Sequence, residues 1–444
     1  MAGAELILPP GDLLGNFLTP GDPEGLLEWL EPRLAGCDAA LLSLDMLCWG
    51  GLVASRRPDT SPLEGQLRLA MAASLLEGRP LLRLAFMAVT RNAPNQTSPE
   101  EVERARLFSE LSLLMARQMA GDLDAGPEIR EMKSRLPPEA LQEYLAVRGR
   151  NHRVARRAVD GPWDFLLFGI DDSRAQGLNL LEASQLQADL GRRGRAGAVA
   201  PGTDEMALLL LARALAPGRT LEVVWDHPRQ AESRGLYEDR PLGQVLTAQA
   251  AAAGLALGPS SRQLWVYGPS GRQTEAALQK GSPRSARAAR FAERLERALE
   301  KGAVIVVADV ARANGADLAL AGELSRRRLF PRLAGYAAWN TAGNTLGTAL
   351  ATLALTPEHP TAERTRFLLE RLADDWLYQA RLRQRLGPGL RLEEEARARA
   401  EGRVARDLAR QMARLCRFWG LPVPRLRARL PWPRTFEVEV EIEP

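Results

Sequence analysis

Two pairs of adjacent carboxylates follow strand-like apolar runs, a placement that suits acid–base chemistry. The run Phe165-Leu166-Leu167-Phe168-Gly169-Ile170 ends in Asp171 and Asp172. The shorter run Ala198-Val199-Ala200 leads through Pro201-Gly202-Thr203 to Asp204 and Glu205, at the start of an apolar helical stretch. α/β proteins place their chemistry at the C-terminal ends of parallel strands, where the loops converge. Two carboxyls brought close together there raise one pKa, and that carboxyl then serves as a general acid. Successive strand residues point to opposite faces, so a pair shares a cleft only where the backbone has turned beyond the strand. The plainer readings stand beside this one. Asp172 would cap a loop or helix and Asp171 would be solvated, while Asp204 and Glu205 would be first-turn acids of a helix capped by Thr203.

Other polar groups fall at similar junctions. Asp45 follows an apolar run at Ala39–Leu44, and Gly50, Gly51 and Arg56 come soon after. Paired glycines let the backbone approach a ligand, and an Arg holds phosphate or carboxylate; a tight turn with a surface Arg is the alternative. Arg91 ends the run Leu82–Val89 and joins the group by position. Trp339, Asn340 and Asn344 close another run. A Trp offers a flat platform for a sugar ring and amides fix hydroxyls, unless the Trp is structural and the Asn caps the next helix. Together Asp45, Arg91, Asp171, Asp172, Asp204, Glu205, Trp339 and Asn340 are expected to line one concavity.

Composition limits the function classes. Among 444 residues the net charge is +4, and the basic residues are nearly all Arg, with Lys only at Lys133, Lys280 and Lys301. These Arg are spread among Glu rather than gathered in a stripe, so nucleic-acid binding is not expected. Cys37, Cys48 and Cys416 are isolated, without the spacing of a zinc site or a disulfide framework. No apolar run reaches the ~18 residues of a membrane span. A cytoplasmic protein is expected. There is no GxxxxGK[ST] string and no GxGxxG after a strand, so ordinary nucleotide binding is not expected either, and no cofactor is named. His152, His227 and His359 form no metal-spaced pair. No metal ligands are assigned; any metal would rest on oxygen ligands, favouring Mg²⁺, Mn²⁺ or Ca²⁺.

The elements that must position these groups alternate between strands and helices. Strands are expected at Leu6–Leu8, Ala39–Leu44, Leu82–Val89, Phe165–Ile170, Ala198–Ala200, Leu221–Trp225, Leu264–Tyr267, Val304–Ala308 and Gly335–Ala338, with crossover helices between them. A helical insertion interrupts the pattern at 98–159, opened by Ser98-Pro99-Glu100-Glu101. Helices follow Thr361, and alternation of Phe436, Val438, Val440 and Ile442 with Glu marks a final strand. The fold class is α/β with parallel βα repeats. Polar groups after at least four strands favour a barrel-like closure with inserted βα units and a C-terminal helical region; two doubly wound α/β lobes are the alternative. The expected regions are 1–217, 218–355 and 356–444.

Several strings resemble one family. They include Leu14-Gly15-Asn16, Ser43-Leu44-Asp45-Met46-Leu47 with Gly50 to Arg56, Gly169 to Asp172, and Gly202 to Glu205. They continue with Asn314-Gly315-Ala316-Asp317, Trp339 to Gly347, Asp374-Asp375-Trp376, Pro431-Trp432 and Arg434-Thr435-Phe436-Glu437. The chain is similar over essentially its whole length to the bacterial domain-of-unknown-function 4127 family, a resemblance that implies no activity. Members usually begin with a further strand ending in a Leu-Asp-Arg-Pro-like string, whereas this chain starts at what resembles their second strand. The best expectation for function is a hydrolase acting on a carbohydrate or amino-sugar, in which Asp171→Asn and Glu205→Gln stop turnover but leave folding intact. An oxygen-ligated metal hydrolase and a non-catalytic small-molecule binding protein are the alternatives.

Overall fold

The computed structural model describes residues 3–96, 98–122, 124–171, 174–280, 284–387 and 392–443. The chain forms two compact units, Glu5–Ala214 and Leu215–Pro444 with Met1–Ala4.

In the N-terminal unit four strands form one parallel sheet: β1 (Ala39–Ser43), β2 (Leu82–Val89), β3 (Phe165–Ile170) and β4 (Gly197–Pro201). Their spatial order follows their chain order. Every residue of β3 is buried, as an unbroken apolar run in a central parallel strand requires. The register of β2 on β3 is fixed at its start by Asp164, which accepts from Arg83 Nε at 3.0 Å, Arg83 Nη2 at 2.6 Å and the Arg83 amide at 2.8 Å. The expected insertion consists of three helices, Pro99–Met119, Ala125–Ser134 and Pro138–Ala158. They bury a small core of their own that includes Phe108, Leu111, Ile129 and Tyr144. Leu6–Leu8 is not a strand but exposed chain without regular structure. The run is only three residues long, and Pro9 and Pro10 after it supply no backbone donors.

The C-terminal unit is built on β5 (Thr220–Trp225), β6 (Ala256–Leu257), β7 (Arg262–Tyr267), β8 (Thr274–Glu275), β9 (Val304–Asp309), β10 (Arg312–Ala313) and β11 (Gly335–Ala337). Its main sheet is parallel in the order β11-β9-β7-β5-β6, with β8 and β10 paired separately. The chain winds outward from β5 to β6, then returns to the other side of β5, which makes a switch point between β5 and β7. The parallel βα repeats thus form two open sheets, each with free edges. The units match the two-lobe arrangement more closely than a closed barrel. Only the second sheet reverses its winding.

The region after 355 is not separate. A helix at Ala362–Arg371 runs into a π-helix at Leu372–Leu382, and the long helix Glu394–Trp419 precedes an antiparallel ribbon of β12 (Arg425–Arg429) and β13 (Glu439–Glu443). Leu377, Tyr378, Leu408, Trp419 and Ile442 share one core with Trp265 of β7, Tyr336 of β11 and Phe291 of the helix Ala286–Glu300. The chain end is fastened by Tyr378, whose hydroxyl donates to the Thr435 carbonyl at 2.7 Å, and by Gln379, which donates to the Phe436 carbonyl at 2.9 Å. Deleting everything after Arg434 removes buried Val438 and Ile442 as well as these bonds. Thermal or urea unfolding should show a loss of roughly 3–6 kcal/mol, at ~1.5–3 kcal/mol per buried apolar side chain.

Candidate functional site

In the N-terminal unit the strand-end groups meet the inserted helices. β1 runs directly into the helix Leu44–Trp49, with the Ser43 hydroxyl accepting from the Met46 amide at 3.3 Å. Asp45 therefore sits in a first helical turn, buried, and accepts from the Ala88 amide of β2 at 2.7 Å. Burial pushes its carboxyl up to about 7, against the lowering effects of that amide and of Arg56. Gly50, at φ +81, is the left-handed cap of this helix, and the Gly51 amide donates to the Asp45 carbonyl at 3.1 Å. The two glycines thus close a turn, as the alternative reading had it.

Arg56 lies on the turn Ala54–Arg56 and forms an ion pair with Asp171, which also receives the Thr203 hydroxyl at 3.5 Å. Both side chains are nearly buried, so Asp171 compensates a guanidinium rather than standing free as an acid. Asp172 lies outside the described residues. Asp204 and Glu205 face different surroundings: Asp204 is exposed in the turn and Glu205 is fully buried. Gly202, at φ +96, packs so closely over Glu205 that a Cβ there would collide with the Glu205 carboxyl.

A cavity of about 310 Å³ opens beside Arg56. Its walls come from the strand-end loops, through Arg56, Arg57, Thr90, Arg91 and Asn95, and from the inserted helices, through Glu101, Arg104, Phe108, Glu143, Tyr144 and Arg148. Phe108 and Tyr144 stack with ring centres 4.5 Å apart. Tyr144 donates to the Asn92 carbonyl at 2.9 Å, and Arg148 donates to the Arg91 carbonyl at 2.8 Å, which fixes the loop after β2. The neighbouring segment is held by Arg150, whose guanidinium donates to the carbonyls of Ser55 at 2.6 Å, Arg57 at 2.9 Å and Thr60 at 2.7 Å. Burial pushes its pKa down to about 10, and the group lies 4.2 Å from the centre of the Trp49 ring.

Of the five cavity arginines, three meet carboxylates that lie outside the lining: Arg56 meets Asp171, Arg57 meets Asp59 and Arg148 meets Glu182. Arg91 donates to the carbonyls of Ala93 and Pro94. Arg104 is exposed and in no ion pair among the described residues. Sequence reasoning picked out Arg56 and Arg91 but missed Arg57, Arg104, Arg148 and Arg150. Arg is so common in this chain that the inserted helices carried no distinguishing signal.

Trp339, Asn340 and Asn344 belong to the C-terminal unit, whereas Asp45 and Asp171 belong to the N-terminal one. Asn344 completes a capping box with Thr341 on the helix Ala342–Leu355, and the Gly343 amide donates to Glu238 at 2.6 Å. That helix N-terminus is therefore occupied by the chain's own carboxylate. The Trp339 indole donates to Thr348 at 3.1 Å. The strongest signal missed here is a pair of buried acids. Asp309 at the end of β9 accepts from the Tyr336 hydroxyl at 2.8 Å and the Asp317 amide at 2.7 Å; Asp375 of the π-helix accepts from the Ala338 amide at 2.7 Å. Burial raises each carboxyl to about 7. At the switch point between β5 and β7, Arg287 donates to Asp226 at 2.6 Å and Gln230 bonds both ways with Gly268, so the chain's own side chains fill that crevice.

Raised carboxyls weaken the fold as pH rises. Below about pH 4 both states are protonated; between about 4 and 7 the unfolded chain ionises while the folded one holds its proton. Asp45→Asn removes this penalty and keeps an oxygen for the Ala88 amide. The unfolding free energy of the variant minus that of wild type should therefore be larger at pH 7.5 than at pH 5, by about 2–3 kcal/mol. Equal differences at both values would place the Asp45 pKa in the ordinary range. A separate outcome concerns Asp171: its Asn variant takes the negative charge from a nearly buried ion pair with Arg56, so it should lose about 3–5 kcal/mol.

No curated protein and no solved structure matches the chain. The model of one family, described as Protein of unknown function (DUF4127), matches residues 1–441. The match covers nearly the whole chain, and the chain belongs to this family.

Proposed function

We propose that the N-terminal unit binds a small acidic molecule, bearing a carboxylate or phosphate, in the cavity between the loops after β1 and β2 and the inserted helices. The observation that carries this reading is the lining: five guanidiniums and two carboxylates around about 310 Å³. Arg56 and Arg148 are positioned by the largely buried carboxylates of Asp171 and Glu182, Arg57 pairs with the exposed Asp59, and Arg104 adds a charge at the exposed side. Guanidiniums held in this way recognise planar or tetrahedral anions through paired donors. The stacked Phe108–Tyr144 pair provides an apolar face for the body of the ligand. Free thiols at Cys37, Cys48 and Cys416 support a reducing, cytoplasmic setting in a bacterial cell.

Calorimetric titration with inorganic phosphate, citrate and a hexose 6-phosphate tests the proposal. At least one should bind, and Arg104→Ala should weaken it by about 10-fold or more, as expected for a charge-assisted bond. Affinity should also fall with added salt. No binding of any acid, or equal binding by the variant, would overturn it.

A second reading keeps the hydrolase for carbohydrates or amino-sugars, and Asp45 favours it. A buried carboxyl with a pKa of about 7 beside Arg56 has the protonation state of a general acid at neutral pH. Among the described residues no group of three His, Cys, Asp or Glu is placed to hold a metal. In a screen of aryl-glycosides, turnover should decline above pH 7, and Asp45→Asn should lower it by about 10²–10⁴. Turnover that survives that substitution would count against Asp45 as the acid.

A further inference from the structure

The two carboxylates that line the arginine-rich cavity have different local settings. Glu101 stands in the first turn of the helix Pro99–Met119, where its amide donates to Ser98 Oγ at 3.2 Å and the helix dipole favours a negative charge. Glu143 stands in the second turn of Pro138–Ala158, beyond the reach of that effect. Its neighbours three and four positions away are Glu139, Ala140, Ala146 and Val147, so no cation on its own helix is placed to meet it. Glu143 is exposed and in no ion pair among the described residues.

That side chain belongs to the cavity face of its helix. Ala140, Glu143, Tyr144 and Val147 all line the cavity, at the i, i+3, i+4, i+7 spacing of one helical face. Arg104 lines the same cavity, is exposed and is likewise in no ion pair, so the two opposite charges are not joined to each other. Both are carried next to one ring pair. Arg104 is four residues before Phe108, Glu143 immediately precedes Tyr144, and the two rings stack with centres 4.5 Å apart.

Five guanidiniums against two carboxylates leave the cavity positive on balance. Such a site disfavours a ligand ammonium unless a carboxylate meets it locally. A plain acid satisfies the guanidiniums but sets a further negative charge near Glu143. An acid that also carries an amine satisfies both. We propose, on the acid-binding reading of this cavity, that the bound molecule is a small aminated acid, whose acid group meets the guanidiniums and whose ammonium meets Glu143. The volume of about 310 Å³ suits a molecule of amino-acid or hexosamine-phosphate size.

Calorimetric titration of the full chain with two matched pairs tests this, at about pH 6.5 so that the amines are protonated. The pairs are glucosamine 6-phosphate with glucose 6-phosphate, and glutamate with glutarate. In at least one pair the aminated member should bind about 5-fold or more tighter. A preference in the first pair alone assigns an amino-sugar phosphate, and in the second alone an amino acid. Glu143→Gln should bring the ratio to about 1 or below, and Glu143→Lys should reverse it in favour of the plain acid. Acids that bind with no preference for the amine, or a preference that both substitutions leave intact, overturn the aminated ligand and leave the acid-binding reading standing. No binding by any of the four overturns both.

Discussion

The N-terminal cavity depends on one buried cation. Arg150 donates to three carbonyls between Ser55 and Thr60 and lies over Trp49, and no carboxylate forms an ion pair with it among the described residues. A guanidinium with its donors filled by carbonyls keeps its charge at a desolvation cost, and the cost shows in its lowered pKa. The arrangement draws the segment carrying Arg56 and Arg57 against the helix Pro138–Ala158. Asn151, the next residue, adds bonds to the Ser55 carbonyl at 2.8 Å and to Thr90 at 3.1 Å. The insertion is thereby joined to the ends of both β1 and β2. The cavity is the space left between these fastened pieces.

The two units solve one problem in the same way. In each, a carboxylate from a neighbouring helix accepts the amide of an alanine at or near the C-terminal end of a parallel strand. Asp45 takes Ala88 and Asp375 takes Ala338, both at 2.7 Å. A strand that stops pairing leaves a backbone donor that must be satisfied if it is buried. A side chain from the adjacent element can do so only where its backbone is held in place. The cap by Ser43 on one side and the π-helix on the other supply that constraint.

The strands were legible because fully buried parallel strands read as unbroken apolar runs, and eight of the nine expected runs are strands within a residue or two. Leu6–Leu8 has the composition of a strand but neither the length nor the donors. Asp45 and Asp171 were legible as strand-end groups, while the role of Asp171 was not, because its partner Arg56 lies 115 residues away. Adjacent letters at Asp204 and Glu205 hid opposite environments, since a turn sends one side chain to solvent and the other beneath Gly202. The cavity wall was illegible for another reason. Two of its arginines, Arg104 and Arg148, stand on helices whose periodicity reports only which face packs, and Arg148 is buried there. The division of the polar groups between two open sheets followed from strand order, which apolar patterning does not encode.

The π-helix at Leu372–Leu382 places Asp375 opposite Ala338 by wider turns than an α-helix has. Such a segment is one residue richer per turn than its neighbours, so its register is held by length as much as by composition. A single deletion would let the segment tighten to α-helix and swing everything beyond it by about 100°. Tyr378 and Gln379 would then lose the carbonyls of Thr435 and Phe436, and the chain end with them. Point changes on the outer face should be tolerated there, while changes in length should not. Among homologous chains this stretch should therefore vary in letters but keep its count.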